Sequence, residues 1–272
     1  MKKFLKKFLL LSLIIFFFSN TEKVQSLIPH YYFPTKKNLE KTSFTIGENV
    51  YQLLYFGQYK DSLSLAELAV KINANDDKLW LILSEAQVAN ELYKNGLISL
   101  NKAQNINPKN SEIYFAKSAI YFKISEIKNA KTALRSGLKI DPKNHKAIFQ
   151  LGNTFLLEKN YSEAIKLFEE SIGIQPNYWQ AINNKGLAYF EKNNIDLSIK
   201  FFEKAISIEN NAEPLLGLAS CLRMKDIDLA IELAKKALAK DPNYVSYDYR
   251  KEQLWGEKLQ TSTEILLKND QI

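Results

Sequence analysis

Prolines stand at positions 108, 142 and 176, each 34 residues from the last, and nothing else in the chain restricts its fold as much. One further step of 34 lands on Asn210, and Pro242 follows Pro176 after that step plus 32 residues. One step back from Pro108 lands on Ala74 in Asn73-Ala74-Asn75, which echoes the turns Asp141-Pro142-Lys143-Asn144 and Asp241-Pro242-Asn243. A fixed period of a few tens of residues predicts a stack of similar supersecondary units, each burying an apolar face against its neighbours.

Other positions keep the same register. With proline as residue thirty-two of each unit, 145–178 has Leu151-Gly152 at seven and eight, Phe155 at eleven, Ala164 at twenty and Phe168 at twenty-four. Unit 179–212 repeats this with Gly186, Tyr189, Phe202 and Ala205. Unit 77–110 supplies Trp80, Leu83, Leu100 and Ala103, and unit 111–144 supplies Tyr114, Tyr121, Ala130, Leu134 and Gly137. Two weaker units, 43–76 and the shortened 213–244, bring the number to six. This pattern resembles the tetratricopeptide repeat family over most of the chain. The resemblance implies an all-α, right-handed superhelical solenoid of about six helix-turn-helix units.

The physics of one unit follows from its residues. Two helices of about thirteen residues are each marginal alone in water, so packing must hold them. Small residues (Gly152, Gly186, Ala164, Ala130) fit where helices approach closely, and Phe155, Phe168, Tyr189 and Phe202 fill the space between. The prolines end each second helix, because proline lacks the N–H donor and disfavours helix before it. Ser162, Asp196 and Asp226 are candidate caps for second helices. A solenoid also needs a terminal cover. Residues 245–272 are expected to form a capping helix, with Trp255, Leu259 and Leu266 on one stripe and Leu254 and Ile265 on a second.

The first 26 residues have the layout of a secretory address: Lys2, Lys3, Lys6 and Lys7, then the apolar run Phe8–Phe18, then a polar stretch to Ser26. Eleven apolar residues rise only about 16 Å as a helix, against a hydrocarbon core of about 30 Å, which favours a cleaved signal peptide over an N-terminal anchor. Residues 27–42 hold Pro29, Pro34 and the run His30-Tyr31-Tyr32-Phe33, and are expected to form an extended strap or linker. The expected location is extracytoplasmic, with membrane association if the leader stays.

Residues 1–26 carry five of the 37 basic and one of the 30 acidic residues, so the remainder nets only +3. Such a balance gives no electrostatic argument for nucleic acid. His30 and His145 are too scattered for a histidine-based metal site, and no phosphate-binding glycine loop, metalloprotease motif or nucleophile elbow is present. Cys221 lies between Ser220 and Leu222 on a first helix and reads as a small buried side chain. No enzyme activity, metal or cofactor is expected.

The family resemblance implies that first helices line a concave face through fixed positions of each unit. Carried over by register, that face takes Glu112, Phe115, Ala119, Phe122 and Lys123, then Lys146, Phe149, Asn153, Leu156 and Leu157, then Gln180, Asn183, Leu187, Phe190 and Glu191. Among these, Phe115, Phe122, Lys146, Phe149, Asn153, Leu156, Gln180, Asn183, Leu187 and Phe190 are the candidate partner-binding residues. Asparagine amides can pair with peptide backbone while phenylalanines supply contact area. Packing of Phe115, Phe149 and Phe190 against neighbouring helices is the equally weighted alternative. The chaperone-tail clamp of some family members needs a lysine where Phe149 stands and an arginine near Leu218, so that specificity does not fit.

The resemblance therefore implies a protein-binding scaffold or assembly factor, with a membrane-anchored spacer or oligomerisation platform as the alternative. The segments Lys251–Leu259 and Ala181–Gly186 are similar to repeat proteins of oxygenic photosynthetic bacteria, which would make the compartment periplasm or thylakoid lumen.

Overall fold

A computed structural model describes residues 34–272. The leader 1–26 and residues 27–33 of the strap lie outside the described residues. Six helical pairs follow one another: α1 Lys36–Tyr55 with α2 Tyr59–Ile72, α3 Asp77–Ala89 with α4 Tyr93–Ile106, and α5 Ser111–Lys123 with α6 Ile127–Ile140. Then come α7 His145–Leu157 with α8 Tyr161–Ile174, α9 Trp179–Glu191 with α10 Ile195–Ile208, and α11 Ala212–Leu222 with α12 Ile227–Lys240. A 3-10 turn, Pro242–Val245, leads to α13 Tyr247–Glu252 and α14 Glu257–Leu267. No strand occurs among the described residues.

The backbone repeats with the sequence. Within the first five pairs, the turn between partners has one residue in the left-handed region: Gly57, Glu91, Ser125, Lys159 and Asn193, each 34 from the last, with φ between 59° and 71°. Asp76, Asn110 and Asn144 cap the starts of α3, α5 and α7, each side chain accepting a backbone N–H from two or three residues on. For the second helices, Asp226 caps α12 as expected. At α8 the cap is Asn160 rather than Ser162, and Asp196 lies in the first turn of α10 rather than at its cap.

Packing explains the register. Leu100, Leu134, Phe168 and Phe202, one per unit at the same position, are all essentially without solvent exposure. Gly152 permits a close approach: a Cβ there would lie 2.5 Å from the ring of Phe168, too near for any side chain. First helices form one layer, with α3 against α5, α7 against α9 and α9 against α11.

Two expectations change at the ends of the chain. Residues 36–42 are helical, where the strap was expected to run extended to Thr42. No proline follows Pro34 in this stretch, and Thr35 Oγ1 accepts the Asn38 N–H at 3.2 Å, which starts the helix. The single C-terminal capping helix is instead two helices, broken at Gln253–Gly256. Leu254 takes a left-handed conformation (φ 67°), so it cannot extend a stripe with Ile265, which is half exposed. Trp255, Leu259 and Leu266 are buried as their spacing suggests.

Candidate functional site

A groove of about 1310 Å³ runs along the first helices α5 and α7. Glu112, Phe115, Ala119, Phe122 and Lys123 of α5 line it, so all five positions carried over for that unit face one space. From α7 come Lys146, Gln150 and Leu157, and the break after α13 supplies Gln253 and Leu254. A second space of about 370 Å³ adjoins the first and shares Phe122, Gln150, Leu157, Glu252, Gln253 and Leu254 with it. Phe149, Asn153 and Gln180 line this smaller space, together with Trp179, Asn184, Glu213 and Glu252.

Beyond α9 the concave layer is covered by the chain itself. Leu259 N–H donates to Oε1 of Glu191 at 3.0 Å, and Lys258 Nζ donates to the Glu191 carbonyl at 2.6 Å and to Asn193 Oδ1 at 2.9 Å. Gly256 rests directly on the Glu191 side chain, where any Cβ would collide with the carboxylate. Ser262 Oγ donates to the Ser220 carbonyl at 2.8 Å, fixing α14 onto α11. Arg250, fully buried, holds the turn by donating to the Tyr244 and Val245 carbonyls, to Gln260 Oε1 and to Glu264.

This cover corrects part of the expected binding face. Asn183 and Leu187 have 0% and 1% exposure and Phe190 7%, so in this conformation none of them meets a partner. Leu156 is likewise buried in the core. Phe149 is mostly packing as well, its ring tilted or edge-on to Phe168 and Tyr178 at 5.8 and 5.1 Å. The residues that sequence reasoning missed are Gln150, Trp179, Glu213 and the segment Lys251–Leu254. Glu213 carries no local signal, because an acid in the first turn of a helix ordinarily just complements the dipole.

The polar groups between the two spaces are linked. Asn183 Nδ2 donates to Asn184 Oδ1 at 3.1 Å, and Asn184 Nδ2 donates to Asn153 Oδ1 at 2.9 Å. Glu213 accepts from the Trp255 indole at 3.2 Å. Burial pushes the Glu213 carboxyl up to about 7, and its contacts with Trp255, Asn183 and Tyr244 only partly offset this. Cys221 is buried beside Ser198, with its thiol pushed up to about 12 by burial, which removes the thiolate that nucleophilic chemistry needs. Among the described residues no group of three or more histidine, cysteine or acidic side chains is placed to hold a metal ion.

The regular pairing of short helices at a 34-residue step is matched at the level of sequence. Residues 111–144, 145–178 and 180–211 each match the tetratricopeptide repeat family. The solenoid is also similar to solved structures. One of MamA is 24% identical, covers 58% of this chain and 93% of its own, and has a TM-score of 0.53. YrrB, described as a tetratricopeptide repeat protein with an unusual peptide-binding site, is 20% identical over 74% of this chain and 95% of its own, at 0.51. PilF of Pseudomonas aeruginosa is 15% identical over 80% of this chain and 98% of its own, at 0.67. At these identities the likeness concerns the fold alone. No curated protein matches the sequence. Tetratricopeptide repeat solenoids are generally non-enzymatic scaffolds that bind proteins or peptides on an extended concave surface.

Proposed function

We propose that this protein is an extracytoplasmic scaffold or assembly factor that holds a partner polypeptide in the groove along α5 and α7. The observation that carries this reading is the composition and openness of that groove. Phe115 and Phe122 are only partly buried, and Gln150 is exposed between them and the tail. Aromatic side chains supply apolar contact, and an exposed amide both donates to and accepts from a peptide backbone. Gln253 and Leu254 stand where the groove meets the smaller space, so the partner lies over α5 and α7 and reaches α9 and α11 only at that end. The extracytoplasmic location rests on the lysine-then-apolar order of residues 1–18.

Affinity capture with the full chain tests this, comparing the parent with a Phe122→Ala, Gln150→Ala double variant. A polypeptide retained by the parent and lost by the folded variant supports groove binding. Retention by both would move the binding surface elsewhere. Location is tested separately by sequencing the N-terminus of the cell-derived protein. Loss of residues 1–26 supports a cleaved leader, and their presence in a membrane fraction supports the anchored-spacer alternative.

A further inference from the structure

We propose that the 370 Å³ space at the tail end of the groove is a subsite for a basic side chain, an arginine guanidinium or lysine ammonium, of the bound polypeptide. The proposal rests on the groove-binding reading above and gives that groove a chemical preference.

Charge balance is the first argument. Two carboxylates, Glu213 and Glu252, line the space together with the amides of Gln180 and Asn184, and no lysine, arginine or histidine is among the described residues that line it. Neither carboxylate takes part in an ion pair among the described residues. The second argument is an excess of acceptors. The amide oxygens of Gln150, Gln180 and Gln253, which line the space, add acceptors to the two carboxylates. A site rich in acceptors and carboxylates, and poor in charged donors, selects a ligand that brings donors and positive charge. The third is shape. Phe122 and Trp179 add aromatic surface to the same wall, which attracts a cation through the ring quadrupole and suits the flat guanidinium in particular.

Glu213 also explains why the site should be selective. In the free protein its partly buried carboxyl is pushed up to about 7, so a neighbouring cation is what would stabilise its charged form. The groups that face it are Asn183 from α9 and Tyr244 and Trp255 from the tail, with Glu252 on the same wall and the Asp241–Tyr249 pair behind Tyr244. None of these is a cation.

The test needs no knowledge of the partner. N-acetyl-arginine methylamide and N-acetyl-citrulline methylamide have nearly the same shape and differ in charge. Each is titrated into the full-length protein while the indole resonance of Trp179 is followed, with that of Trp80 as a remote control. The arginine probe is expected to shift Trp179 and bind about tenfold more tightly than citrulline, with the preference growing from pH 6 to pH 8. Glu213→Gln should abolish the preference and Glu252→Gln should weaken it, the second variant guarding against misfolding of the first. Equal binding of the two probes, or full preference in a folded Glu213→Gln protein, overturns the proposal. Selective arginine binding without any captured polypeptide would leave the subsite standing and remove the scaffold reading. Capture through Phe122 with no arginine preference would do the reverse.

Discussion

The indole Nε1 of Trp255 donates to Oε1 of Glu213 at 3.2 Å, joining the C-terminal tail to the start of a helix 42 residues earlier. Through this contact the tail is both the end cap of the solenoid and one wall of its groove. Trp255 is 4% exposed and belongs to the same apolar cluster as Leu216, Leu259 and Leu266.

Replacing Trp255 separates its two contributions. Trp255→Ala should cost about 3–5 kcal/mol, the range for emptying a buried aromatic site. Trp255→Phe keeps most of the apolar contact and removes only the indole donor from Glu213, costing about 1–3 kcal/mol. Urea unfolding followed by far-ultraviolet circular dichroism measures both. A Trp255→Phe protein as stable as the parent would show that the hydrogen bond contributes nothing.

Stability should fall as pH rises from about 4.5 to about 7. The folded state holds the Glu213 proton up to about 7, whereas a free glutamate loses it near 4.5. Between those values the folded state therefore binds more protons than the unfolded one, and linkage makes raising the pH destabilising. Above about 7 both states are ionised and this contribution becomes constant. Glu213→Gln should flatten the slope in that window, as read from urea midpoints at several pH values. A variant with the parent's slope would assign the effect to other groups.

Two glycine substitutions should act in opposite directions. Gly152→Ala forces a Cβ to 2.5 Å from the Phe168 ring, a buried group that cannot move aside, and should destabilise by about 1–3 kcal/mol. Gly173, in the last turn of α8, has nothing within 4 Å of its would-be Cβ. Gly173→Ala should stabilise by about 0.5–1 kcal/mol through helix propensity alone. Thermal unfolding midpoints decide both, and destabilisation by Gly173→Ala would mean that the helix end needs the flexibility of glycine.

The repeat is legible in the sequence because its causes are local and periodic. Pro108, Pro142 and Pro176 stop helices, and Leu100, Leu134, Phe168 and Phe202 fill equivalent holes. The groove is legible in the same way only where a unit stands free. For α5 all five carried-over positions line it, but on α9, where the tail docks at Glu191 and Asn193, Asn183, Leu187 and Phe190 are buried. That cover depends on non-local contacts with no periodic trace: a left-handed Leu254, Gly256 pressed against Glu191, and a buried Arg250 that composition alone assigns to the surface. The cap positions fail for a smaller reason. Asn160 and Ser162 are two residues apart and both are good caps, so only the observed backbone turn decides between them.

Deleting residues 246–272 should unfold the end of the solenoid and spare its middle. The deletion removes the Leu259 and Leu266 side chains from the terminal core and the Ser262 and Thr263 hydroxyls from their contacts with Ser220 on α11. It also strips the Glu191 carboxylate of the Leu259 N–H. Repeat stacks gain stability from nearest-neighbour interfaces, so the loss should spread outward from the cut and fade with distance. Hydrogen exchange should then show α11 and α12 losing most of their protection and α9 losing part. Helices α5 and α6, whose core includes Leu134 and packs Phe115 and Leu138, should change little. Retained protection in α11 would mean that the tail only decorates a solenoid stable without it. Uniform loss through α5 would mean that the stack unfolds as a single cooperative unit.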